Sequence, residues 1–131
     1  MNVRCGTDIV DVSRFVKKIE DGNQSFINKC FTESEIEYCN STKDLNRKAE
    51  HYAARYAAKE AVGKALGTGL MSEGVGMHDI EVVNDGRGTP GVKLTGGALD
   101  HAKALGMSSI SISLSHDGGV AIAYCVMLVE K

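Results

Sequence analysis

Residues 47–66, RKAEHYAARYAAKEAVGKAL, decide the fold. Ala, Lys, Glu and Arg dominate the run, only Gly63 interrupts it, and Gly67-Thr68-Gly69 stops it. That composition and that stop predict one long helix. Its alanines, Ala53, Ala54, Ala57, Ala58, Ala61 and Ala65, let neighbouring elements approach closely. Upstream, residues 3–12 form an apolar run broken by polar residues, with Cys5, Thr7 and Ile9 in alternation, and read as an opening strand. Ser13 is then placed to cap a short helix through Ile19, before a turn at Asp21-Gly22-Asn23. Residues 25–29 predict a helical turn. Thr32-Glu33-Ser34-Glu35 matches a capping box opening a helix to Cys39.

Downstream of the long helix, residues 80–83 and 92–95 read as two short strands. They flank Asn84-Asp85-Gly86-Arg87-Gly88, which has the residues of a hairpin turn. A short helix over 97–105 ends at Gly106. Residues 108–114 alternate, with Ile110, Ile112 and Leu114 on one face, and Gly118-Gly119 turns the chain into an apolar closing strand over 120–129. Hairpin-length connections favour a largely antiparallel sheet packed against the long helix, an α+β domain spanning 1–131. A regular β-α-β-α alternation, a G-x-G-x-x-G and a G-x-x-x-x-G-K-[ST] are all missing, which argues against dinucleotide and P-loop folds.

Composition narrows the function classes. A chain of 131 residues with 43% hydrophobic residues can build its own core, and no apolar run reaches the length of a membrane span. The N-terminus lacks a basic-then-apolar signal, so a soluble, cytoplasmic protein is expected. A formal charge of −2 and no interleaving of aromatic and basic residues argue against nucleic acid as a partner. Cys5, Cys30, Cys39 and Cys125 form no C-x-x-C pair and are expected to be small buried hydrophobes. With three Phe, four Tyr and no Trp, the core is expected to rest on Ile, Val, Leu, Ala and Met.

Asp8 lies inside an apolar strand, where a carboxylate must be paired, metal-bound or at an exposed edge. Asp11, by period two, points to the opposite face. On the long helix, Glu60 and Lys64 are i and i+4, which is either a solvated ion pair or part of a site. Taken with Asp8, the second reading becomes concrete. Two carboxylates from different elements can hold a Mg²⁺ that takes its other ligands from water and substrate phosphates, with Lys64 neutralising phosphate charge. His116 sits at a strand-to-strand turn where it can meet a ligand. Arg14, Lys17 and Lys18 form a basic face on the first helix, either solubilising or a docking patch for an acidic protein. No histidine set has zinc spacing, and no G-x-S-x-G marks a nucleophile of the chain's own.

These residues are familiar as a set. GTDIVDVSRF (6–15) resembles the G-[IT]-D-[IL]-V-[ED]-[IV]-x-R-[IF] opening of the holo-[acyl-carrier-protein] synthases, small bacterial phosphopantetheinyl transferases. YAAKEAVGKALGTG (56–69) is similar to the family's F-A-[AV]-K-E-A-x-x-K-A-[LF]-G-T-G, with Tyr56 where Phe is usual, and SISLSHD (111–117) to its third stretch. Three ordered motifs span nearly the whole chain. The segment 84–91 departs from the usual G-[KR]-P turn by Gly88-Thr89, which leaves Arg87 without an assigned role.

The resemblance implies a 4′-phosphopantetheinyl transferase-like fold and a Mg²⁺-dependent reaction. In it, 4′-phosphopantetheine passes from coenzyme A to a serine of apo acyl carrier protein, releasing adenosine 3′,5′-bisphosphate, in support of fatty acid biosynthesis. It further implies Asp8 and Glu60 as metal ligands, Lys64 on the pyrophosphate, and Arg55, Lys59 and His116 on coenzyme A. Arg14, with Lys17 and Lys18, would dock the carrier, and the assembly would be a homotrimer with sites between subunits. Two rival readings compete. A non-catalytic coenzyme A or nucleotide-binding module predicts metal-independent binding, and a purely structural carrier partner predicts no coenzyme A affinity.

Overall fold

In the computed structural model, which describes residues 1–70 and 72–131, the first strand, β1 (Asn2–Asp11), hands directly into α1 (Val12–Glu20). Ser13 is not the cap. The N-cap is Asp11, whose side chain makes no capping bond, and the Val12 amide donates instead to the Gly119 carbonyl at 2.9 Å. A backbone acceptor from the distant 118–119 turn meets the need that a local hydroxyl was expected to meet.

Next come α2 (Gln24–Cys30), longer than a turn because Asn23 caps it, and α3 (Glu33–Cys39), opened by the expected capping box. The long helix, α4 (Leu45–Leu66), starts two residues early because Asp44 accepts from the Arg47 amide at 2.9 Å. It ends at Gly67, whose φ of 85° is the left-handed C-cap that favours glycine. A single 3₁₀ turn, Met77–Asp79, leads into β2 (Ile80–Asn84) and β3 (Pro90–Leu94), followed by α5 (Gly96–Ala104), β4 (Ser109–Asp117) and β5 (Val120–Val129).

The sheet is antiparallel in the order β1-β5-β4, and β2-β3 forms a separate antiparallel hairpin. Helix α4 crosses one face of the larger sheet. That inner face carries Gly6 and Val10 of β1, Ala121, Ala123, Cys125, Met127 and Val129 of β5, and Ile110, Ile112 and Leu114 of β4. At Gly6 strand and helix pack tightly. A Cβ there would overlap the Ala61 carbonyl oxygen and lie 2.9 Å from the Ala65 amide nitrogen. Small residues on both sides thus set the distance between β1 and α4.

Two expectations fail here. Cys5, Thr7 and Ile9 face outward, Ile9 being 66% exposed, because the inner set of β1 is the even-numbered one. Cys5 is therefore exposed, while Cys30, Cys39 and Cys125 are buried as expected. The core is also not purely aliphatic. Phe15 is fully buried among Phe26, Phe31, Tyr52 and Tyr56, with ring centroids 5.6–6.3 Å away, and this cluster locks α1 and α2 onto α4.

Candidate active site

Asp8 occupies an inner-face position of β1, opposite Ala123 of β5, and so points toward α4. Lys64 reaches across the Gly6 contact and donates to the Thr7 carbonyl at 2.9 Å and to Asp8 Oδ1 at 3.2 Å. The lysine side chain is 53% exposed against 19% for Asp8, so the pair sits at a surface and its partner can be exchanged. Glu60 lies one turn before Lys64 and is half-buried. Burial pushes its carboxyl above the usual range, and the Asp8 charge pushes it further, against the pull of Lys64 and Arg14. Two carboxylates, one lysine and one arginine therefore share a single electrostatic neighbourhood.

Two hard oxygen donors whose charges repel one another suit a divalent cation. Among the described residues, no group of three or more His, Cys, Asp or Glu forms a protein-only cage. An ion here would complete its shell from water and from ligand oxygens, which is the habit of Mg²⁺ at phosphate sites. The donor set fits that ion.

Arg55 and His116 meet elsewhere, in a cleft of about 340 Å³ between α4, the end of β4 and the 84–90 segment, whose lining includes Tyr38, Glu50, Asn84 and Pro90. The His116 Nδ1 lies 3.1 Å from Glu50 Oε2. The Arg55 guanidinium stacks 3.8 Å above the Tyr38 ring, the residue is only 4% exposed, and its Nε has no hydrogen-bond partner among the described residues. His51, beside it, is pushed below its ordinary range by burial and by Arg55, and its Nδ1 is likewise unpartnered. A buried cation with an unused donor and a neutral imidazole make a pocket suited to an anion. No sequence spacing pointed to His51 or Tyr38. Arg87 is not among the residues that line this cleft.

Lys59 belongs to neither group, which corrects its expected place on coenzyme A. It is fully buried, and its ammonium donates to Glu35 Oε1 at 2.7 Å, the Met77 carbonyl at 2.8 Å and the Ile80 carbonyl at 2.6 Å. All three N–H groups are spent inside the chain. On α1, Arg14 and Lys17 are exposed, Arg14 lies 5.3 Å above the Tyr56 ring and Lys18 lies 4.6 Å above Phe26. Arg14 thus borders the Glu60 site, and the basic face flanks it.

Comparison with known proteins shows the family to which the chain belongs. Residues 4–125 match the 4′-phosphopantetheinyl transferase superfamily. The chain is 47% identical over 122 residues to the holo-[acyl-carrier-protein] synthase of Geobacter sp. (strain M21), covering 93% of this chain and 94% of that one. It is 46% identical over 127 residues to the synthase of Ruminiclostridium cellulolyticum, covering 97% and 92%. Among solved structures, the Helicobacter pylori synthase in complex with coenzyme A superimposes with a TM-score of 0.80 at 29% identity, over 95% of this chain and 99% of that one. The Bacillus anthracis synthase gives 0.76 at 33% identity, over 95% and 94%. With the three motifs, the α+β architecture and these relatives in agreement, the chain belongs to the holo-[acyl-carrier-protein] synthase family of phosphopantetheinyl transferases.

Proposed function

We propose that this enzyme transfers 4′-phosphopantetheine from coenzyme A to a serine of apo acyl carrier protein, using a Mg²⁺ held by Asp8 and Glu60, in fatty acid biosynthesis. The observation that carries the reading is the Asp8–Lys64–Glu60 cluster. It holds two carboxylates and an exchangeable lysine, and no nucleophile of its own. The serine arrives with the carrier. Its Oγ forms a bond to the β-phosphorus as the bond to the bridging oxygen breaks, and adenosine 3′,5′-bisphosphate departs with that oxygen. Bound at the two carboxylates, Mg²⁺ would neutralise charge on the pyrophosphate oxygens. Lys64 can leave Asp8 for the same phosphates, since its surface pair is weak. The serine proton passes through water to a carboxylate of the cluster. Arg55 and His116 would hold the nucleotide phosphates of coenzyme A, and Arg14, Lys17 and Lys18 would dock an acidic carrier.

The position of the two half-sites supports a homotrimer, the assembly implied by the resemblance. Asp8 is on β1 and His116 on β4, with β5 between them, about 10 Å across two strand spacings. A head-to-tail ring would set the carboxylates of one copy beside the cleft of the next. The outer sheet face gives it a surface, for Ile9 pairs with Ile122, Tyr124 and Val126 follow on the same face of β5, and the four are 66%, 42%, 47% and 36% exposed. Among the described residues, no helix is long and apolar enough to cross a membrane, and a cytoplasmic location is part of the proposal.

The test is mass spectrometry of apo carrier incubated with the enzyme, coenzyme A and Mg²⁺. One added phosphopantetheine per carrier is expected, and Asp8→Asn or Glu60→Gln should lower the rate by at least about a hundredfold while the protein stays folded. Near-normal turnover in both variants would sink the metal assignment. Metal-independent coenzyme A binding without carrier modification would sink the transferase reading.

A further inference from the structure

Lys59 and Glu35 form a fully buried ion pair outside the proposed site. Such pairs contribute little net stability compared with apolar packing of the same volume, so their presence calls for a role other than holding the chain together. The bonds around this pair converge on one place. Lys59 binds the carbonyls of Met77, at the 3₁₀ turn, and Ile80, at the start of β2. Glu35 Oε2 accepts from the Val82 amide of β2 at 2.8 Å, and Oε1 accepts from the Thr32 amide at 2.8 Å. Glu81, on the same strand, accepts from Thr32 and Ser34 at 2.6 and 2.8 Å. One lysine on α4 and one glutamate on α3 thus clamp the base of the β2–β3 hairpin.

The far end of that hairpin is one wall of the Arg55 cleft, through Asn84, Gly88 and Pro90. Arg55 is i−4 to Lys59, on the same stripe of α4, and forms part of the opposite wall. A change in how β2 seats on α4 therefore changes the distance between the two walls. Because all three lysine hydrogens and both glutamate oxygens are used, the clamp has one satisfied geometry.

We infer that Glu35 and Lys59 are positioning residues that set the width of the Arg55–His116 cleft by clamping the base of the β2–β3 hairpin. The inference rests on the reading of that cleft as the coenzyme A subsite. The clamp acts on nucleotide binding and leaves the carrier-docking face of α1 untouched.

The experiment compares the parent, Glu35→Gln, and the double variant Glu35→Gln with Lys59→Gln, which keeps polar groups at both positions if the single change fails to fold. Coenzyme A affinity is measured by titration calorimetry, carrier KM by transfer assay, and backbone amide exchange by mass spectrometry. The expected result is a coenzyme A Kd weakened about tenfold in the folded variants, with carrier KM within about twofold of the parent. Exchange should rise in 80–94 and stay unchanged in β1 and β5. A folded variant with parental Kd and parental hairpin exchange overturns the inference, as does exchange rising evenly over the chain. A parent that fails to bind coenzyme A overturns the cleft assignment instead, and the hairpin exchange then still decides whether the clamp exists.

Discussion

Lys59 and Lys64 stand little more than one turn apart on α4, and each meets a carboxylate. The first pair is sealed, with no exposure of either side chain, while the second is open to water. Identical functional groups therefore serve opposite ends. The sealed lysine has traded hydration for three fixed acceptors and cannot let go without stranding them. The open one keeps its hydration and exchanges partners at little cost. Burial, more than residue type, decides which lysine holds structure and which can serve chemistry.

Four measurements would break or sharpen that contrast. The largest effect is expected for Lys59→Met, which leaves Glu35 buried without its partner and should cost about 3–5 kcal/mol in urea unfolding. A loss as small as that of an exposed pair would erase the distinction. Next, Lys64→Met should change stability by at most about 1 kcal/mol yet lower transfer about a hundredfold. Transfer near the parental rate would remove Lys64 from the chemistry.

Gly6→Ala touches only the open pair. The added methyl must push β1 off α4 at Ala61, costing about 1–3 kcal/mol and pulling Asp8 away from Lys64. Hydrogen exchange should rise along β1 with the Glu35 contacts intact, and a uniform rise would mean that the two regions are mechanically one. The smallest effect concerns pH. The folded chain holds the Glu60 proton more tightly than the unfolded chain does. This contribution is fully present below the ordinary value of 4.5 and is lost as pH rises through the raised folded value. Without divalent cation, Glu60→Gln should flatten the stability profile just above that value and gain on the parent at neutral pH. An unchanged profile would show that Glu60 is relaxed in its site.

Local signals in the sequence were legible and distant ones were not. The Thr32–Glu35 capping box forms as its spacing implied, but the same carboxylate also serves Lys59 and Val82, which are far away in the chain. Nothing about a capping glutamate announces a second, tertiary duty. Lys59 was placed on coenzyme A by the resemblance, and a residue's position in a motif does not say what covers it. Asp8 stood out because a carboxylate in an apolar strand needs a partner, and the structure supplies one. Cys5 was expected to be buried, but the inner side of β1 is the one that holds Gly6, which carries no hydrophobic signal although it packs tightly against α4. Ile9, the more apolar residue, looks outward.

That strand writes two messages on one ribbon. Its even positions bear Gly6 and Asp8, and its odd positions bear Val3 and Ile9. Inserting or deleting a single residue early in β1 would exchange the two sets, turning the carboxylate toward the outer face and the isoleucine toward the helix. The proposed carboxylate site and the proposed assembly face would be lost together. Point substitutions can drift on either face, but the length of this segment cannot, so β1 should tolerate changes of residue far better than changes of count.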